Sequence, residues 1–163
     1  MRSKHIKILF LLSISVAFNI LATAQIKNYA LVIHGGAGVM DPKSMTPDTQ
    51  AEYISVLSRV LQVGDSVLSS GGSAMDAVEQ AIVIMEDSPL FNAGKGAVFT
   101  HDGLVELDAS VMDGQNLKAG AIAAVRDIKN PVKVARAVME RTEHVLLNGA
   151  GASPFPKNRD SRS

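Results

Sequence analysis

One glycine-rich run in the middle of the chain, residues 88–100, constrains the fold more than any other feature. It reads SPLFNAGKGAVFT, with a proline near its start, a glycine on each side of Lys95 and a short apolar segment at its end. Glycines at alternate positions let the backbone turn sharply and approach a ligand closely. Asn92 lies in this loop, and its amide can donate to a developing negative charge. The run therefore indicates either a structural turn before a strand or a loop that presents Asn92.

The composition excludes several classes of function. The 163 residues allow one ordinary domain, and 16 basic residues balance 16 acidic ones, so we expect no nucleic-acid partner. The absence of cysteine excludes disulfides, a thiol nucleophile and thiolate metal sites. Three histidines lie beyond the N-terminal apolar stretch, and they are too far apart in sequence to have the spacing of transition-metal ligands: His34, His101 and His144.

Residues 1–24 have the pattern of a signal peptide. Three basic residues precede a mostly apolar stretch over residues 8–21, and Ala22-Thr23-Ala24 fits the cleavage rule. The apolar stretch is shorter than the roughly 20 residues of a bilayer span, which argues against the alternative, an uncleaved anchor. We therefore expect an exported protein, periplasmic or secreted, that begins at Gln25 and has no membrane attachment after signal removal.

A glycine-rich turn follows the first apolar run of the expected mature chain. Residues 29–33 predict a buried strand, and His34-Gly35-Gly36-Ala37-Gly38 comes directly after it. Such a turn can present backbone N–H groups to an oxyanion, so His34, Gly35 and Gly36 form a candidate oxyanion loop. Fixing the loop by hydrogen bonds is a more typical role for His34 than catalysis.

Two helices are predicted next. Thr46-Pro47 opens the first, with Thr49 and Glu52 spaced as a capping box, and Ser73 caps the second. Asp76 and Glu79 could act as catalytic carboxylates, but roles at the helix end and in solvent fit them better. Glu86 and Asp87 lie where the second helix ends, and the helix dipole disfavours anions there. They indicate either a solvated acidic turn or a bound cation.

The remaining chain predicts strands joined by tight turns. Residues 97–100 and 104–112 have the pattern of a hairpin, residues 117–125 that of a further strand, and residues 144–147 that of a last one. Asn130-Pro131 predicts the start of a helix between the last two strands, and helical spacing predicts four inward residues in it: Val134, Ala135, Val138 and Met139. Asp108 interrupts an apolar strand and would need a partner if buried, which favours a structural role. The pattern predicts an α+β fold with an antiparallel sheet.

Five ordered segments resemble the plant-type L-asparaginase and isoaspartyl peptidase family of threonine-dependent N-terminal nucleophile hydrolases. They are HGGAG (34–38), GGSAMDAVEQA (71–81), FNAGKGAVFT (91–100), ELDASVMDG (106–114) and LKAGAIAAV with IKNPVKVAR (117–136). The resemblance runs from about residue 29 to about residue 149. It implies that residues 25–150 form a partial α-subunit-like domain, one half of an αββα sandwich.

The resemblance also implies a chemistry. Relatives of this type would hydrolyse L-asparagine and β-aspartyl dipeptides through a threonine nucleophile, without an organic cofactor, and Asn92 would support that nucleophile. It further implies a β-subunit as partner in an (αβ)2 assembly. A structural sodium ion would be held by six main-chain carbonyls, those of Met85, Glu86, Ser88, Phe91, Ala93 and Lys95.

The resemblance ends before the nucleophile. The family's threonine follows a glycine, and no Gly-Thr pair occurs in this chain. Residues 151–163 indicate a divergent polar tail, and we expect the chain alone to be inactive and poorly folded because strands would have open edges. Three alternatives stay open: a glycosylasparaginase-like amidase, a catalytically inactive exported remnant or binding module, and an α/β-hydrolase esterase. The esterase lacks support because no G-x-S-x-G elbow occurs.

Overall fold

The computed structural model of the chain describes residues 28–36 and 43–152. The chain divides into two units by its internal contacts, residues 1–30 and residues 31–163. Every helix and strand described here lies in the second unit. The predicted signal peptide and residues 153–163 of the predicted tail lie outside the described residues. Within the described ranges, no helix combines the length and the apolar character needed to cross a bilayer.

Helices α1 (Pro47–Ser69) and α2 (Ala74–Glu86) begin at well-formed caps. The Thr46 hydroxyl accepts the Thr49 N–H at 3.1 Å, so the predicted start at Thr46-Pro47 is confirmed. The predicted capping box from Thr49 to Glu52 is wrong, because Thr46 is the cap. At α2, the Ser73 hydroxyl accepts the Asp76 N–H at 3.1 Å and the Asp76 carboxylate accepts the Ser73 N–H at 3.3 Å. The predicted cap at Ser73 is therefore confirmed.

The two helices pack closely because small residues line their contact. Val60 and Gly64 of α1 are buried, and Val60 packs in one apolar cluster with Ala81 and Met85 of α2. A Cβ at Gly64 would lie 2.4 Å from Leu31 Cδ2, so a larger residue there would require the Leu31 side chain to move. The outer parts of the helical faces, represented by Leu61 and Val78, are exposed.

Three strands form one sheet in the order β1 (Leu107–Met112), β2 (Ala119–Val125) and β3 (Leu146–Asn148). β1 and β2 are antiparallel, whereas β2 and β3 are parallel. The predicted purely antiparallel sheet is therefore wrong, since helix α3 (Pro131–Arg141) carries the chain back across the sheet between β2 and β3.

One other predicted strand is not formed in the structure, and one predicted hairpin is only partly formed. Residues 28–36 contain no strand, and Val32 is 89% exposed, so the buried strand predicted over residues 29–33 is not formed. The hairpin predicted over residues 97–112 consists of a single bridge between Phe99 and Val105, followed by β1. These segments are extended, but the described residues supply no neighbouring strand that pairs with them over any length.

Helix α3 covers one face of the sheet. Its predicted inward residues are confirmed as buried, and they are Val134, Ala135, Val138 and Met139. A Cβ at Gly120 of β2 would lie 2.2 Å from the Ala135 carbonyl oxygen, so the helix backbone rests directly on the strand. The opposite face of β1 presents Asp108, Ser110 and Met112, all exposed. The helices and the sheet together confirm the α+β class.

Candidate functional site

The last two residues of α2 and the segment after them fold into a tight loop over residues 85–95, here called the carbonyl loop. Ser88 N–H donates to the Met85 carbonyl at 3.1 Å, and Ala93 N–H donates to the Phe91 carbonyl at 2.8 Å. A Cβ at Gly94, which has a φ of +50°, would lie 2.4 Å from the Glu86 carbonyl oxygen. A Cβ at Gly96 would lie 2.2 Å from the Phe91 carbonyl oxygen. Main-chain oxygens therefore occupy the space where side chains would stand.

The carbonyl loop is held in place by an aromatic pair. The Phe91 ring is buried and meets the Tyr53 ring edge to face, with centroids 5.8 Å apart. The Tyr53 hydroxyl donates to the Leu90 carbonyl at 2.8 Å. α1 thus anchors the two residues that immediately precede Asn92.

The predicted oxyanion loop lies beside this aromatic pair. A Cβ built on Gly35 would be 3.4 Å from the Phe91 ring, which places the turn against the carbonyl loop. The Gly36 N–H donates to His34 Nδ1 at 3.3 Å. His34 therefore fixes the turn, as its sequence context indicates.

Asn92 projects from the carbonyl loop with a defined orientation. Its Oδ1 accepts the Val98 N–H at 3.0 Å, and its side chain is exposed. Within residues 28–36 and 43–152, the Asn92 NH₂ group makes no hydrogen bond. An oxygen that is already engaged turns the two N–H donors of the amide outward, where they can meet a ligand.

Glu86 and Asp87 differ in their surroundings although they are adjacent. Glu86 is only 3% exposed, and its Oε1 accepts the Val132 N–H of α3 at 3.0 Å. Burial raises the pKa of Glu86, against the opposing effects of the Val132 N–H and the Asn130 amide. The Asp87 carboxylate pairs with Lys129 at 3.0 Å, and this contact, followed by the Asn130 amide, lowers the pKa of Asp87. The prediction of a solvated acidic turn is therefore wrong for Glu86.

A pocket of about 490 Å³ lies beside the carbonyl loop and reaches it at Glu86, Gly94 and Lys95. Apolar lining comes from Val105, Leu107 and Ile128, and charged lining includes Arg126 and Lys129. Arg126 pairs with Glu106, and Lys129 pairs with Asp87. Lys95 is exposed and makes no hydrogen bond or ion pair to the part of the chain that the structure describes. The pocket has the size of a small-molecule or ion access site.

Asp76 and Glu79 belong to an ionic cluster and not to the carbonyl loop. Arg136 Nη1 lies 2.8 Å from Asp76 and 3.1 Å from Glu79, and its Nε lies 2.7 Å from Glu140. The Ser73 hydroxyl, and after it the Arg136 guanidinium, lowers the pKa of Asp76. The cluster ties α2 to α3, which agrees with a structural role for both carboxylates.

Asp108 is exposed, and it nevertheless has a hydrogen-bond partner in the backbone. Its Oδ1 accepts the Ala124 N–H at 2.8 Å, across an irregularity in the pairing of β1 and β2. Ala124 has a φ of +52°, which is unfavourable for a residue with a side chain. The Asp108 side chain therefore stabilises a strained bulge in the sheet.

Comparison with known sequences assigns the chain to a class of hydrolases. The sequence profile of the asparaginase family matches residues 27–163, which is most of the chain. The chain therefore belongs to the asparaginase family, and the resemblance found in its five segments is confirmed.

The chain is similar to isoaspartyl peptidases and plant-type L-asparaginases within this family. The isoaspartyl peptidase of Salmonella typhimurium is 50% identical over 125 residues, covering 77% of this chain and 40% of that protein. The isoaspartyl peptidase of Escherichia coli is 49% identical over 125 residues, covering 77% of this chain and 39% of that protein. The plant-type L-asparaginase of Pyrococcus horikoshii is 48% identical over 128 residues, covering 78% of this chain and 40% of that protein. The chain spans about 40% of the length of these curated relatives.

Proposed function

We propose that this chain is the α-subunit-like part of an isoaspartyl peptidase or L-asparaginase. The assembled enzyme hydrolyses L-asparagine and β-aspartyl dipeptides, and its threonine nucleophile comes from sequence outside this chain. The similarity to isoaspartyl peptidases and plant-type L-asparaginases supports the substrate class. The observation that carries the proposal is the orientation of Asn92, whose amide donors face outward because Val98 occupies its oxygen.

The chemistry follows from these donors. Attack of a hydroxyl on an amide carbonyl produces a tetrahedral intermediate with a negative oxygen, and fixed hydrogen-bond donors stabilise that charge. Asn92 supplies donors from the carbonyl loop. The Gly35 N–H has no partner among the described residues and can supply another, whereas the Gly36 N–H is already bonded to His34.

The carbonyl loop fits a structural sodium ion. Gly94 and Gly96 leave no space for side chains next to the carbonyl oxygens of Glu86 and Phe91. Neutral main-chain oxygens suit a hard monovalent cation and depend little on side-chain identity. The ion would be held by the carbonyls of Met85, Glu86, Ser88, Phe91, Ala93 and Lys95, and it would brace the loop before Asn92. No organic cofactor is part of the proposal.

The exposed face of β1 supports a partner. Asp108, Ser110 and Met112 lie on the face opposite α3, and Met112 is 59% exposed. A second sheet, supplied by a β-subunit, would cover this face and complete an αββα sandwich within an (αβ)2 assembly. Residues 1–24 would direct the chain to the periplasm or the exterior before their removal.

A non-catalytic exported protein is the alternative that an experiment has to exclude. Co-expression separates the two functions. Residues 25–163 are produced alone and together with the C-terminal part of the Escherichia coli isoaspartyl peptidase that the chain does not match. The hydrolase proposal predicts release of aspartate from a β-aspartyl dipeptide only when both parts are present. An assembled but inactive complex would support the non-catalytic alternative.

A further inference from the structure

Glu86 combines extreme burial with an incomplete set of hydrogen bonds. Its side chain is 3% exposed, and Oε1 accepts the Val132 N–H at 3.0 Å. Oε2 is buried and receives no hydrogen bond from any residue of the described ranges. A buried acceptor without a partner is costly, and a buried carboxylate without a compensating positive charge is more costly still.

No basic side chain in the described part of the chain forms an ion pair with Glu86. Lys129, which lines the same pocket, is paired with Asp87 at 3.0 Å. The positive charge of Lys133 lowers the pKa of Glu86 without a direct contact, whereas the negative charge of Asp87 raises that pKa. The Val132 N–H at the N-terminus of α3 and the Asn130 amide both favour the charged form of Glu86, but they are neutral groups. No full positive charge among the described residues therefore contacts this carboxylate.

The carbonyl loop folds directly over Glu86. A Cβ at Gly94 would lie 2.8 Å from Glu86 Cβ as well as 2.4 Å from the Glu86 carbonyl oxygen. A cation held by the main-chain oxygens of this loop would therefore share the buried surroundings of the Glu86 side chain. Charges interact more strongly in such surroundings than at a solvated surface. The pocket that reaches Glu86, Gly94 and Lys95 gives a hydrated ion a route to the loop.

We propose that the buried Glu86 carboxylate is the counter-charge of a small monovalent cation bound by the carbonyl loop. The inference rests on the cation in the proposed function and adds a role for the side chain of Glu86. One carboxylate then serves two partners, the N-terminus of α3 through Oε1 and the cation through its charge. Cation binding consequently stabilises the junction at which α2, the carbonyl loop and α3 meet.

The test compares thermal unfolding of the mature chain, assembled with the complementary part of the Escherichia coli isoaspartyl peptidase, in sodium chloride and in choline chloride at equal ionic strength. We expect sodium to raise the Tm of the wild type. In Glu86→Gln, which keeps the shape and removes the charge, we expect the apparent sodium affinity to fall roughly tenfold, the effect of one partly screened unit charge. In choline chloride this variant should unfold at or above the wild-type temperature, because no buried charge remains uncompensated.

Two further variants make the test specific. Asp87→Asn removes a negative charge from the neighbouring residue, whose side chain is 40% exposed. Because solvent and salt screen an exposed charge, this variant should retain the sodium effect. Glu86→Asp keeps the charge but shortens the side chain, so its Tm should fall in both salts while the sodium increment persists. If Glu86→Gln does not fold, Glu86→Met, which is similar in length and uncharged, replaces it: a reduced sodium increment supports the inference, and an unchanged increment contradicts it.

The outcomes separate the inference from the function on which it rests. A Glu86→Gln variant with wild-type sodium dependence would overturn the counter-charge and leave the cation in place. A wild-type complex whose Tm does not depend on sodium would remove the cation from the carbonyl loop and the inference with it. Neither result bears on hydrolysis, which the co-expression assay measures.

Discussion

The side-chain oxygen of Asn92 accepts the backbone N–H of Val98 at 3.0 Å. This hydrogen bond spans the two ends of the loop that contains Gly94 and Gly96, and it decides which end of the Asn92 amide faces outward. A donor with a fixed direction can stabilise developing negative charge without reorganising during the reaction. The same hydrogen bond therefore closes the glycine-rich loop and orients the N–H donors of Asn92.

Tyr53 should contribute to stability through its hydroxyl as well as its ring. Tyr53→Phe keeps the edge-to-face contact with Phe91 and removes the hydrogen bond to the Leu90 carbonyl. The free energy of unfolding should decrease by about 1 kcal/mol, the usual net value of one hydrogen bond. Urea titration of both proteins measures this difference in the complex with the complementary Escherichia coli part, the form in which every variant below is also compared. An unchanged midpoint would show that the bond does not form in solution.

Gly94 should tolerate no side chain. Gly94→Ala adds a Cβ 2.4 Å from the Glu86 carbonyl oxygen at a φ of +50°, so the variant should lose about 3 kcal/mol or more of stability. Gly103→Ala is the matched control, because Gly103 also has a positive φ, of +73°, but open space around it. It should lose only about 1 kcal/mol. Equal losses in the two variants, measured by urea titration, would contradict the close packing of the carbonyl loop.

Asp76 should stabilise the fold only where it is ionised. Its pKa is lowered in the folded state, by the Ser73 hydroxyl first and by Arg136 second. The contribution is therefore complete above the unfolded pKa of about 3.9, and it is lost as the pH falls through the folded value. Asp76→Asn should be less stable than the wild type at pH 7, and the difference should disappear in strong acid.

The control for this prediction is Asp102→Asn, which removes an exposed carboxylate from the turn after Thr100. Chemical unfolding at pH 7 should not distinguish it from the wild type. A difference between Asp76→Asn and the wild type that persists at the lowest pH would assign the effect to packing and not to charge.

Local sequence signals predicted the parts of the fold that local forces determine. The Ser73 cap needs only the Asp76 spacing, and the inward face of α3 follows from helical periodicity. The candidate site was predicted as a loop because glycines and proline leave few alternatives. The Asn92 orientation, by contrast, depends on the Val98 N–H, whose direction no residue pattern specifies.

Contacts between distant residues account for what the sequence did not reveal. The Glu86 contact with Val132 joins residues 46 apart, and the Tyr53 contact with Leu90 joins residues 37 apart. The parallel pairing of β3 depends on the path of α3 over the sheet, not on β3 itself. A weak signal for the Glu86 contact did exist, because the proline at position 131 marks a helix start whose free N–H groups require an acceptor.

The central claim is that the carbonyl loop holds Asn92 as a hydrogen-bond donor for amide hydrolysis. The decisive measurement is kcat for a β-aspartyl dipeptide in the complex with the complementary Escherichia coli part, for wild type, Asn92→Asp and the exposed control His101→Gln. Asn92→Asp keeps the oxygen that binds Val98 and loses the donors. Its kcat should fall by about 10² to 10³ while the control keeps the wild-type rate. A wild-type kcat in Asn92→Asp would contradict the account.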